Sequence, residues 1–138
     1  MQEGAPAARS KLDAIGLAVA DLSASVAFYR RLGVDFGDPV DPEGHGHAEA
    51  DLGGGFRLLL DTIEGIQAFD PKFRPAAGDP RASLAFRCSS PPAVDELYAE
   101  LVKSGGLAHQ EPWDAFWGQR YAQLRDPDGN GVDLYANL

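Results

Sequence analysis

The sequence predicts an α+β fold in which one strand–helix–strand–strand–strand unit is used twice. Three observations predict it. Short segments with a two-residue hydrophobic period are interleaved with only two segments of helical spacing. The order of segments in the first half recurs in the second. The halves also keep register: Ala14 matches Ser83 at an offset of 69 residues, and Leu58 and Leu60 match Val132 and Leu134 at an offset of 74, the difference falling in loops. Each unit then has one sheet whose own helix covers only one face.

Residues 1–11 read as a tail before a single domain over 12–138, with a first module at 12–61, a connecting loop at 62–81 and a second module at 82–138. The first strand runs from Leu12 to Ala20, where Ile15, Leu17 and Val19 alternate with Ala14, Gly16 and Ala18. Asp21 caps a helix whose apolar residues Leu22, Val26, Tyr29 and Leu32 share one face, and Gly33 supplies the left-handed stop. Three short strands follow at Val34–Gly37, His47–Leu52 and Phe56–Asp61, with Gly53, Gly54 and Gly55 as the last turn. In the second module a strand at Ala82–Cys88 leads to a helix opened by Pro91 and Pro92 and closed by Gly105 and Gly106. Strands at Leu107–Glu111, Trp117–Arg125 and Gly131–Ala136 complete it, the last two joined by the turn Asp126-Pro127-Asp128-Gly129.

Composition narrows the function. A chain of 138 residues with 44% apolar and 24% charged side chains has the balance of one globular domain, which excludes intrinsic disorder. A net charge of −9 repels phosphate backbones and anionic bilayers, so neither nucleic acid nor a membrane is an expected partner. The uncharged stretch Ala14–Ala20 has only about a third of the length that crosses a bilayer. Cys88 has no second cysteine to pair with, and Met1–Lys11 contains no apolar core of the signal-peptide kind; the expected location is the cytoplasm.

The alternation also sorts the strands' two faces. Ile15, Leu17 and Val19 turn to the helix, leaving the small residues Ala14, Gly16 and Ala18 on the open face. The same alternation sends Arg57, Leu59 and Asp61, then Ser83, Ala85 and Arg87, then Gly131, Asp133 and Tyr135 to that face. Gln119, Tyr121, Gln123 and Arg125 are the better lining set of their strand; a one-residue slip would exchange them with Arg120, Ala122 and Leu124. Side by side or across a dimer, two such open faces form a trough of mixed polarity with room for a ligand.

The duplicated unit, the segment "VADLSASVAFYRRLG" from Val19 to Gly33 and the segment "RDPDGNGVDL" from Arg125 to Leu134 resemble the vicinal oxygen chelate superfamily, which includes glyoxalases, bleomycin-resistance proteins and extradiol dioxygenases. The likeness covers nearly everything from Leu12 to Leu138, and it implies a curved mixed sheet around a ligand trough. Asp61 with Thr62, "FDPKFRP" from Phe69, "YAEL" from Tyr98 and "PWDAFWGQRYAQLRDPDGN" from Pro112 to Asn130 are similar to the mitomycin-resistance type within it. That resemblance implies a metal-free homodimer whose trough, built by both chains, holds a flat aromatic antibiotic.

The resemblance also places the positions where metal-dependent members carry His or Glu ligands at Ala14, Leu59, Ser83 and Asp133. Two hydrocarbons, a hydroxyl and one carboxylate do not make a divalent-cation site, so no metal and no cofactor is expected there. Asp133 is then either an acceptor for a ligand or a partner for Arg57 or Arg87. A second pattern, His45, His47, Glu49 and Asp51, would put two imidazoles and two carboxylates on one face of a strand; an exposed edge strand protected by charge is the favoured reading, with metal binding as its rival. His109 reads as a rim residue and Cys88 as a small apolar side chain.

Trp113, Phe116, Trp117 and Tyr121 lie within nine positions, and rings in a loop need a cover. Core or dimer packing and ligand stacking both stay open for the two tryptophans. Phe69 and Phe73, in the connecting loop, either form a wall of the trough or only link the modules. The ligand-binding set expected is Trp113, Phe116, Trp117, Tyr121, Gln123, Arg57, Leu59, Asp61, Asp133, Tyr135 and Phe69, with no catalytic residue assigned. The expected function is sequestration of a planar aromatic antibiotic or metabolite. The alternative is a lyase, isomerase or dioxygenase of the same superfamily, using a metal or acid–base chemistry from Asp133, His109 or Tyr121.

Overall fold

A computed structural model describes residues 9–138; the expectation of a leaderless start rests mainly on residues 1–8, outside the described residues. The order of elements is β1 (Ala14–Val19), α1 (Leu22–Arg31), β2 (His47–Asp51), β3 (Arg57–Thr62), α2 (Ile63–Gln67), β4 (Ser83–Arg87), α3 (Pro91–Lys103), β5 (Leu107–Ala115), β6 (Gln119–Arg125) and β7 (Gly131–Asn137). Sheet one has the order β1-β3-β2 and sheet two the order β4-β7-β6-β5. In both, the strand before the helix pairs parallel with the last strand of its half, and the remaining pairings are antiparallel. The α+β class and the duplicated plan are therefore present.

The two halves differ by one strand. Val34–Gly37 forms none, although Val34 and Phe36 both point into the core. Gly37 takes a positive φ of 74° and Pro39, lacking an N–H, cannot extend a ladder, so the segment buries its alternate residues without pairing. β2 is left as the edge of sheet one. Within the connecting loop, Ile63–Gln67 is a short helix, capped by the Thr62 hydroxyl, which accepts from the Gly65 N–H at 3.0 Å. β5 runs on to Ala115, so Trp117 lies in the turn before β6 instead of opening it.

The caps expected for the long helices form. Asp21 accepts from the Ala24 N–H and Ser90 from the Ala93 N–H, each satisfying a donor that the first helical turn leaves free. α1 buries Val26, Phe28 and Tyr29, and α3 buries Val94, Tyr98 and Leu101. These meet Leu58 and Leu60 of β3, Leu124 of β6 and Val132 and Leu134 of β7 in one continuous core. Both sheets turn their apolar faces to that core, so their other faces point outward.

A polar clamp joins the halves. Asp126, fully buried, accepts from the Tyr29 hydroxyl at 2.7 Å, from the N–H groups of Asp128 and Asn130, and from the Asn130 side-chain amide. Asp128 in turn accepts from the Ala20 N–H at 2.8 Å and from the Ser25 hydroxyl at 3.3 Å. Burial and the Asp126 carboxylate push the Tyr29 phenol far above its ordinary range. The turn after β6 thus satisfies its own backbone and fastens α1 of the other half.

Candidate functional site

The outer face of sheet two is set by strand register. Tyr121 stands opposite Tyr135 and Trp113, Gln123 opposite Asp133, and Asp133 opposite Ala85. Ala122 and Leu124 are buried on the core side, so Gln119, Tyr121, Gln123 and Arg125 line the outer face as the alternation predicts. Trp113 and Trp117 meet edge-to-face with ring centres 5.6 Å apart. Trp117 also meets Phe116 at 5.0 Å and Tyr121 at 5.3 Å, which makes it the hub of the group. Its indole N–H donates to Gln119 Oε1 at 2.8 Å, fixing the ring's orientation. The rings remain open to solvent: Phe116 is 91% exposed and Trp117 48%.

Asp133 lies at the floor of this face and is only 7% exposed. Its Oδ2 accepts from the Tyr121 hydroxyl at 2.5 Å and from the Ser83 hydroxyl at 3.2 Å. Gly131 permits this, because a Cβ there would stand 2.7 Å from the Cβ of Ser83. Burial and then the Asp133 carboxylate push the Tyr121 phenol up to about 12. Tyr121 is therefore a hydrogen-bond donor at neutral pH. The pairing of Asp133 with Arg57 or Arg87 is not made among the described residues; the hydroxyls of its own sheet take that place.

The outer face of sheet one is built differently. Its rows are Ala14–Arg57–Asp51, Gly16–Leu59–Glu49 and Ala18–Asp61–His47. Arg57 donates to Asp13 at 2.5 Å and to Glu49 at 2.8 Å. His47 is held between Asp61, 2.6 Å from Nδ1, and Glu49, 2.8 Å from Nε2. Partial burial pulls the His47 pKa down, but the two carboxylates outweigh it and the net direction is up. Sequence reading took His47 as part of a charged edge and missed that register places it in the same row as Asp61. The register that does so comes from β2 pairing with β3, where the buried Ala48 and Ala50 oppose Leu60 and Leu58.

A cavity of about 410 Å³ adjoins this face, lined by Val40, Asp41, Pro42, Glu43, His45, His47 and Glu49. Both oxygens of Asp41 bind loop N–H groups, at His45 and Gly46, and so hold the loop in shape. A second hollow of about 310 Å³ lies beside Cys88 and Phe86. Burial pushes the Cys88 thiol up, in keeping with a small apolar side chain packed on the core. His109 is exposed on β5, and Phe69, 80% exposed, lies beyond α2 and joins none of the ring pairs among the described residues.

The family model of the Glyoxalase/Bleomycin resistance protein/Dioxygenase superfamily matches residues 11–134. The chain belongs to this superfamily. Among curated proteins, none matches its sequence significantly. Solved structures share the fold. A family enzyme from Burkholderia phytofirmans PsJN has a TM-score of 0.74 at 20% identity, with 94% of this chain and 100% of that one covered. A glyoxalase/bleomycin resistance protein/dioxygenase from Nocardioides has a TM-score of 0.68 at 26% identity, covering 95% and 85%. TioX from Micromonospora sp. ML1 has a TM-score of 0.61 at 22% identity, covering 94% and 100%.

A divalent ion, which this superfamily implies, does not fit the residues at the four positions where the resemblance places its ligands. Ala14 and Leu59 bring no donor, and Ser83 and Asp133 are bonded to each other. The rival pattern fails on geometry. His45 lies in the loop beside Glu43, Asp51 accepts from the Gly53 N–H, and each nitrogen of His47 already faces a carboxylate. Among the described residues, no group of three or more His, Cys, Asp or Glu side chains could hold a metal ion. Nor is any helix among them long and apolar enough to cross a membrane.

Proposed function

We propose that this superfamily member is a metal-free binding protein of the mitomycin- and bleomycin-resistance kind, which sequesters a planar aromatic antibiotic or metabolite. The observation that carries this reading is the exposed ring cluster around Trp117 on the outer face of sheet two. Exposed rings on one face favour a partner that covers them, and edge and face positions around one indole suit another flat ring. Gln123, Asp133 and Tyr135 supply polar contacts below the rings. Because both outer faces point away from the shared core, a second copy is needed to bring Arg57, Leu59 and Asp61 opposite this wall. The protein therefore acts as a homodimer, in the cytoplasm, with its trough closed across a two-fold axis.

The test is quenching of tryptophan fluorescence by planar aromatic compounds. Trp117→Ala is expected to weaken binding by about 1–3 kcal/mol with little change in melting temperature. Unchanged affinity with a lowered melting temperature would instead make Trp117 a packing residue. Light scattering at micromolar concentration should return a dimer mass; a monomer would remove the closed trough.

His47 favours a second reading, an acid–base lyase or isomerase. An imidazole oriented by Asp61 beside a cavity is an arrangement that moves protons. Turnover of a bound compound that vanishes in His47→Gln, with binding retained, would select it.

A further inference from the structure

Among the described residues, two buried side-chain atoms lack a hydrogen-bond partner: the Tyr98 hydroxyl and Asp133 Oδ1. Tyr98 sits in the core on α3. Asp133 is different, because it belongs to the outer face beneath the aromatic wall. Both of its donors, Tyr121 and Ser83, converge on Oδ2, and Oδ1 is left without one. A buried acceptor without a donor is costly, and more so when it is charged. The neighbours of Asp133 on β4, Ser83 and Ala85, are small and exposed, so no bulky side chain flanks the carboxylate on that side. The Ser83 bond is the longer of the two, so the Tyr121 hydroxyl is the main anchor of Oδ2.

Resting on the aromatic-binding reading above, we infer that Asp133 selects among planar ligands for those that carry an N–H donor on the ring system, best a cationic one such as an amino-substituted heteroaromatic cation. The ring stacks within the Trp113–Trp117–Tyr121 group while its N–H donates to Asp133. Tyr121 keeps its bond to the other oxygen and holds the acceptor in place. The donor supplies the partner that Oδ1 lacks, and a positive charge on it matches the carboxylate. The net charge of −9 assists the approach of such a cation but does not distinguish one cation from another.

Two dyes separate these effects. Thionine and methylene blue share a phenothiazinium ring and a single positive charge, but thionine has two NH₂ groups where methylene blue has dimethylamino groups. Dissociation constants measured by tryptophan quenching should favour thionine by about tenfold or more in the native protein, the size expected for one hydrogen bond to a charged acceptor. In Asp133→Asn the preference should fall away, thionine weakening while methylene blue holds. Trp117→Ala should weaken both dyes equally. Ser83→Ala, which leaves the carboxylate intact, should retain the preference and serves if the Asn variant fails to fold. Equal affinity of the native protein for the two dyes would overturn the role of Asp133 while leaving aromatic binding standing. Failure of both dyes and of neutral phenazine to bind would overturn the aromatic reading and this inference with it.

Discussion

The outer face of sheet one ties Arg57, Glu49, His47 and Asp61 into a run of ion pairs, whereas that of sheet two carries Trp113, Trp117 and Tyr121 above one buried carboxylate. The inward faces show no such contrast: Leu58 and Leu60 on β3 match Val132 and Leu134 on β7, all but sealed from solvent. Folding constrains the inward face of both copies alike, because each methylene there is removed from water. The outward face is free to vary, and the two variations do not cost the same. Water solvates an exposed charge at no loss, but an exposed indole keeps apolar surface wet. Sheet one is therefore complete as it stands, while sheet two presents a surface that gains from being covered.

The largest expected effect falls on the clamp that makes the two halves one unit. Asp126→Ala leaves the buried Tyr29 hydroxyl and the N–H groups of Asp128 and Asn130 without their acceptor, and should cost about 3–5 kcal/mol. Denaturant unfolding followed by fluorescence and by circular dichroism would measure it. A native protein whose two probes report separate transitions would show that the halves unfold independently and that the comparison is between two units.

Next comes a matched pair. Leu60→Ala and Leu134→Ala remove the same side chain from equivalent, fully buried positions and should each cost about 2–5 kcal/mol. Similar losses would confirm that the inward faces carry equal weight. A clear excess at Leu134 would place more of the stability in the four-stranded sheet.

How far this contrast was legible depends on what periodicity can report. A period of two assigned the faces of β1, β3, β4, β6 and β7 correctly: Val19, Leu58, Leu60, Ala122, Leu124, Val132 and Leu134 are buried, and Ile15, Leu17, Leu84 and Phe86 pack against the same core. Asp21 gave the start of α1, and its end came from Gly33. Pairing was harder to see. Val34 and Phe36 alternate like a strand and are buried like one, yet no strand pairs with them, and alternation says nothing about partners. α2 is too short to show a period, and only Thr62 as a cap marks it. For the site, composition collected the aromatic cluster, but the Tyr121–Asp133–Ser83 contacts depend on diagonal reach between strands that no spacing encodes. Placing His47 beside Asp61 required the β2–β3 register, which turn length alone left open.

The smallest effect tests whether sheet one's charges matter at all. His47 has a pKa raised above its ordinary value by Glu49 and Asp61, against the pull of partial burial. A group that binds its proton more tightly folded than unfolded stabilises the fold while protonated in both states. The contribution is thus fully present below the usual histidine pKa and is lost as pH rises through the higher folded value. With 37% of its side chain exposed, the pair is screened, and about 1 kcal/mol is its upper limit. The melting temperature of the native protein should therefore fall relative to His47→Gln between pH 6 and pH 8, by on the order of 2–4 °C. His45 and His109 are present in both proteins, so the difference isolates His47. A difference that stays flat across that range would mean that the histidine's two contacts contribute nothing to stability. The outer face of sheet one would then be as indifferent to folding as any scattered surface charge, and His47 would be free to serve proton transfer at the adjoining cavity.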